Sequence, residues 1–205
     1  MLDTYAIAPR VASDRLLVVL HGRGDSHAGF TWLPSALGLD GLGYLLVDAP
    51  DPYYEGFSWY DLPPHQAPGV TRSRRLLDQL FAELVTRGQD PAKTALLGFS
   101  QGCLMALEWG GRSELALAAY VGISGYILDP DALLKELRPH ARRGDWLVTH
   151  GRYDAVLPYR TTESQVRVLQ AGGWPLRFEA LSKDHTIVPE EIEVVRSFLA
   201  ERLGL

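Results

Sequence analysis

At 205 residues, with 46% hydrophobic and 22% charged residues, the chain has the size and composition of one globular domain, residues 1–205, with a substantial core. A net charge of −5 argues against a nucleic-acid partner, and no apolar run approaches the roughly 20 residues of a membrane span. The opening MLDTYAIAPR lacks the basic-then-apolar pattern of a secretory signal, and Cys103, the one cysteine, leaves no internal disulfide; both suit a cytoplasmic protein.

The first strong element is Leu16–Leu20, LLVVL. An apolar run without alternation fits a strand buried on both faces of a parallel sheet. It ends in the glycine-rich turn His21-Gly22-Arg23-Gly24-Asp25, and a helix is expected from about Ala28 to Ala36. A second short strand, Gly43–Val47, ends at Asp48-Ala49-Pro50. Residues Asp51–Gly69 read as a long irregular excursion that carries Tyr53, Tyr54, Phe57, Trp59 and Tyr60. Aromatic-rich loops of this length often line binding sites, and the competing reading is a surface loop pinned by rings packed on the core. Val70–Arg87 follows as an amphipathic helix with Leu76, Leu77, Leu80, Phe81 and Leu84 at helical spacing, stopped by Gly88.

Next comes the strand Thr94–Leu97, then GFSQG at Gly98–Gly102, then a helix-compatible stretch from Cys103 to Trp109. Strand, sharp turn and helix are the context of a G-x-S-x-G nucleophile elbow, whose flanking glycines let backbones pass closely and leave the serine hydroxyl exposed. Further strands are expected at Leu117–Ile123, Asp145–Thr149 and Leu176–Leu181. Helices are expected at Asp131–Leu137, Thr161–Gln170 and Pro189–Leu203. The alternation implies an α/β fold, a mostly parallel central sheet flanked by helices on both faces, with no large cap domain.

Ser100, Asp154 and His185 each follow a predicted strand, which places them on one sheet edge in the order Ser, Asp, His. A serine hydroxyl is a weak nucleophile at neutral pH and needs a neighbouring imidazole, which in turn needs a carboxylate to fix its tautomer. Of the six histidines, His21 and His150 adjoin glycines after strands and read as loop braces; His27, His65 and His140 have no strand-end context and read as solvent-facing. His185 lies between the last strand and the last helix, where a base belongs. Asp145, Asp129, Asp131 and Asp184 compete with Asp154 for the carboxylate role. Two N–H donors are needed for a tetrahedral intermediate; Gln101, directly after the serine, and Arg23, in the turn after the first strand, are the candidates.

Arg23-Gly24-Asp25 spells an adhesion tripeptide by coincidence, and Cys103 reads as a small core residue. Neither a metal-ligand spacing nor a phosphate-binding loop is present, so no metal and no cofactor is expected.

LHGRGDS at Leu20–Ser26, DAP at Asp48–Pro50, SWYD at Ser58–Asp61, GFSQG, HGRYDAVLP at His150–Pro158 and DHTI at Asp184–Ile187 together resemble the phospholipase/carboxylesterase family of α/β-hydrolases, which includes acyl-protein thioesterases. The resemblance covers nearly the whole chain. It implies Ser100 as nucleophile, Asp154 as acid, His185 as base, backbone oxyanion donors at Arg23 and Gln101, and Trp59 on a substrate-side aromatic loop, with Tyr60 and Phe57 beside it. Many relatives carry leucine at the position of Arg23, which makes the rim here more polar. The short proline-rich excursion favours small or medium acyl esters over long acyl chains. The expected partner is therefore a small-molecule acyl ester; thioester or lysophospholipid hydrolysis is the runner-up, and a non-catalytic hydrolase-fold binding protein the alternative from another class.

Overall fold

The computed structural model describes residues 2–205. Its centre is a seven-stranded sheet built from β1 (Thr4–Ile7), β2 (Arg15–Leu20), β3 (Leu42–Val47), β6 (Thr94–Phe99), β7 (Ala119–Ile123), β8 (Trp146–Gly151) and β9 (Leu176–Leu181). The spatial order is β1-β3-β2-β6-β7-β8-β9. Every neighbouring pair is parallel except β1 with β3. A separate hairpin joins β4 (Asp51–Tyr53) and β5 (Gly56–Ser58).

Helices cover both faces. On one lie α2 (Gln66–Thr86), α3 (Gln101–Arg112), α4 (Pro130–Lys135) and α5 (Tyr159–Ala171); on the other lie α1 (Leu33–Leu37) and α6 (Pro189–Leu203). That double cover explains the unbroken apolar runs. In β2, Val18 and Leu20 enter the first core while Leu17 and Val19 enter the second, so both parities must be apolar. The first core contains stacked rings, Tyr120 on Trp146 at 3.8 Å and Phe81 on Trp109 at 4.0 Å. Among the described residues, no helix is long and apolar enough to cross a membrane.

The structure revises several expected elements. The helix expected at Ala28–Ala36 is broken into a 3-10 turn at His27–Phe30 and the short α1, because Pro34 starts a new helix rather than continuing one. The excursion is shorter and more regular than its proline content suggests. It holds the β4–β5 hairpin, and α2 already begins at Gln66. The antiparallel edge strand β1 is an element the sequence does not announce: TYAI is only four residues long and mostly exposed. Helix α6, by contrast, spans the expected residues.

Candidate active site

The carboxyl ends of the parallel strands form one edge, and the candidate residues gather there. Ser100 sits between β6 and α3 with φ 54° and ψ −113°. A positive φ in a non-glycine residue holds roughly 1–3 kcal/mol of strain, which the surroundings must enforce. They do so by close packing. A Cβ on Gly98 would run into the backbone of Gly102, and one on Gly102 into the Leu20 and His21 carbonyls. The Ser100 N–H donates to the Ile123 carbonyl at 2.9 Å, which ties the turn to β7.

The Ser100 hydroxyl lies 2.9 Å from His185 Nε2, and His185 Nδ1 lies 2.7 Å from Asp154 Oδ2. Three segments far apart in sequence thus form one hydrogen-bonded chain. The other carboxylate oxygen, Asp154 Oδ1, accepts the backbone N–H groups of Val156 at 2.9 Å and Leu157 at 2.8 Å. Burial opposes ionisation of Asp154, but the Leu157 N–H and the His185 imidazole outweigh it, and the carboxyl is held below its ordinary range. Asp145, Asp129, Asp131 and Asp184 make no such contact: Asp145 pairs with Arg202, Asp129 caps α4, and Asp184 accepts from Thr186. The neighbouring His150 is fully buried, bonds the Leu157 carbonyl at 2.8 Å and braces the aspartate loop. Its burial pushes its pKa down, so it stays neutral.

Gln101 is the first residue of α3, so helix geometry leaves its N–H free for a ligand at the positive end of the helix dipole. Arg23 stands in the turn after β2, which Gly24 N–H ties to the Phe57 carbonyl of β5 at 2.8 Å. The Arg23 guanidinium lies 4.1 Å over the ring of Tyr53. The turn has its own brace. His21 Nε2 accepts the Ala49 N–H at 3.0 Å, and the pKa of His21 is lowered by burial. His27 corrects the expectation of a solvent-facing side chain: Nδ1 lies 2.7 Å from Asp48 Oδ2, and the ring stacks on Tyr5. His140 is likewise half-buried, near the Gly110 carbonyl, whereas His65 is exposed as expected.

The aromatic expectation needs a larger correction. Trp59 and Tyr60 are buried to 0% and 1% exposure and are core residues, not ligand-facing ones. The Trp59 indole N–H donates to the His21 carbonyl at 2.9 Å, so it supports the Arg23 turn from below. Phe57 is half-buried, its ring 6.5 Å from that of His21. The sequence reading also missed what the Gln101 side chain does. Its Oε1 accepts from Trp59 N–H at 3.0 Å and Ser58 Oγ at 3.2 Å, while its Nε2 donates to the Tyr60 carbonyl at 2.8 Å. The side chain clamps the segment after the hairpin. Among the described residues, no group of three or more His, Cys, Asp or Glu could hold a metal ion.

A model of the phospholipase/carboxylesterase family matches residues 3–203. Acyl-protein thioesterase 1 of Yarrowia lipolytica is 28% identical over 170 residues, covering 75% of this chain and 75% of its own. Acyl-protein thioesterase 1 of Cryptococcus neoformans is 27% identical over 235 residues, covering 98% of each chain. Among solved structures, esterase PE8 matches with a TM-score of 0.86 and 27% identity over 98% of this chain and 99% of that one. Zea mays acyl-protein thioesterase 2 matches with a TM-score of 0.82 and 25% identity over 98% and 99%.

Proposed function

The chain belongs to the phospholipase/carboxylesterase family, and from that premise we propose that this ester hydrolase cleaves small to medium acyl esters through an acyl-enzyme formed on Ser100. The observation that carries the proposal is the hydrogen-bonded chain Ser100–His185–Asp154, at 2.9 and 2.7 Å. In this reading His185 Nε2 takes the Ser100 proton as the hydroxyl attacks the ester carbonyl. The negative oxygen of the tetrahedral intermediate is met by the N–H groups of Gln101 and Arg23, each contributing about 10²–10³ in turnover. His185 then protonates the leaving alcohol, and water repeats the sequence to release the acid. Asp154 stays ionised throughout and holds the imidazole in the tautomer that presents Nε2 as acceptor.

The preference for small or medium chains is supported by the aromatic segment. Trp59 and Tyr60 fill the core under the hairpin and so do not form a channel wall. Acyl-thioester hydrolysis is the second reading, favoured by the relatives that bear that name. The same chemistry serves both, since only the leaving atom changes.

The test is hydrolysis of p-nitrophenyl esters from acetate to palmitate, with the matching acyl thioesters, by wild type and Ser100→Ala. The expected result is activity peaking at short chains, and a loss of about 10⁴-fold or more in kcat for Ser100→Ala. Palmitate as the best ester would overturn the chain-length assignment. Thioesters preferred over esters of equal length would move the second reading ahead.

A further inference from the structure

The loop between β9 and α6 carries His185, and most of it is open to solvent: Ser182, Asp184 and Thr186 are exposed. Lys183 is the exception. Its side chain is entirely buried, two residues before the imidazole. A lysine ammonium is strongly hydrated and seldom buried without partners. Here it has three, two hydrogen-bond acceptors and one carboxylate. Nζ lies 2.7 Å from Ser124 Oγ, 2.6 Å from the Thr186 carbonyl oxygen and 2.8 Å from Glu191 Oε2.

These partners belong to three different parts of the molecule. Ser124 directly follows β7 and is itself held at φ 50°, a left-handed conformation unusual for serine. Glu191 is in the first turn of α6 and is fully buried. Thr186 is the residue immediately after His185. The ammonium therefore draws the far side of the histidine loop down onto the sheet edge and the start of α6. The near side is fixed by the aspartate loop: Tyr153 N–H donates to the Lys183 carbonyl at 3.0 Å. Gly151 permits that approach, since a Cβ there would meet the Lys183 and Asp184 carbonyls.

We propose that Lys183, held by Glu191 and Ser124, is a positioning residue for the reaction: it sets the height of the His185 loop so that Nε2 stays in reach of the Ser100 hydroxyl. A buried ion pair is a poor source of stability compared with apolar residues of the same volume, so its use at this place is better matched to fixing geometry. The inference rests on the reading of Ser100, His185 and Asp154 as a triad. Misplacement of a base by about 1 Å is enough to cost on the order of 10²-fold in rate.

The variants are Lys183→Met, which leaves Glu191 unpaired, and the double variant Lys183→Met/Glu191→Leu, which fills the same space with apolar groups. Three measurements are made: melting temperature, steady-state kinetics (kcat and KM) on a short p-nitrophenyl ester, and the low-field proton resonance of the His185–Asp154 hydrogen bond. The expected result is that the double variant melts near wild type but retains a kcat lowered by about 10²-fold, with KM within about threefold and a weakened low-field resonance. Lys183→Met should show the same kinetic loss together with a lower melting temperature. A double variant that recovers stability, kcat and the resonance together would overturn the inference and leave the ion pair a packing element. If Lys183→Met fails to fold, the double variant decides. If wild type hydrolyses none of the esters, the functional reading fails, and the resonance alone decides this one: kept in the double variant, it overturns the proposal; weakened, it supports it.

Discussion

Two aspartate–histidine pairs of equal length stand on the same edge of the sheet. Asp154 meets His185 at 2.7 Å, and Asp48 meets His27 at 2.7 Å. Both aspartates are buried, and each has a second, buried histidine close by: His150 at 3.5 Å from Asp154 and His21 at 4.0 Å from Asp48. What separates them is the far side of the imidazole. His185 Nε2 faces the hydroxyl of a strained serine, whereas the His27 ring lies against Tyr5. Asp48 also takes the His27 backbone N–H at 2.6 Å, so its carboxylate closes a loop rather than orienting a base. A short carboxylate–imidazole contact is therefore not a catalytic signature by itself; the third group makes it one.

Parallel asparagine substitutions test that distinction most severely. Asp154→Asn should lower kcat by about 10⁴-fold with little change in fold, because the amide favours the wrong tautomer. Asp48→Asn should lower activity by no more than about tenfold, through a loosened Arg23 turn, and should lower the melting temperature. Equal kinetic losses would break the comparison. Gln101→Ala sharpens it further. The backbone donor survives, while Trp59 N–H loses its partner and the Tyr60 carbonyl keeps only Ser58 Oγ. We expect a destabilisation of about 1–3 kcal/mol in chemical denaturation and a kcat/KM reduced by about tenfold.

The smallest effect concerns the two buried bystander imidazoles. Burial lowers the pKa of both His21 and His150 in the folded state. The unfolded chain then binds more protons than the folded one as pH falls below about 6.5. Stability should fall in that direction, from about pH 6.5 down toward 5. Asp154 acts in a separate window. Its folded pKa is depressed, so its contribution is complete above the unfolded value of about 3.9 and is lost only as pH falls through the lower folded one. Melting curves of wild type and His150→Gln between pH 5 and 7.5 should show a shallower slope in the variant. An unchanged slope would mean that His150 takes up no proton on unfolding.

The elbow turn, the parallel strands and the gathering of Ser100, Asp154 and His185 on one sheet edge were legible because each rests on a local requirement. Gly98 and Gly102 mark a backbone crossing, unbroken apolar runs mark strands covered on both faces, and Ser100, Asp154 and His185 each lie within a few residues after a strand end. The rest depends on where side chains point after the chain has folded. Aromatic content announced the segment around Trp59 without revealing that its rings face inward. The prolines concealed a hairpin of three-residue strands. The partnerships of His27 with Asp48, Lys183 with Glu191 and Gln101 with Tyr60 join separate elements, and no spacing in a single chain encodes them.

The parallel sheet also governs the order in which the protein can acquire its properties. β2 pairs with β6 across most of the first half of the chain, and Ser100 meets His185 at a sequence separation of 85. Contacts so distant form slowly, because loop-closure entropy is lost before the contact returns anything. Helices such as α2 and α6 can form much sooner. In refolding from denaturant, the helical circular-dichroism signal should therefore recover ahead of esterase activity. Turnover would then report the completed chain topology, since it waits for the loop before α6 to reach the turn after β6.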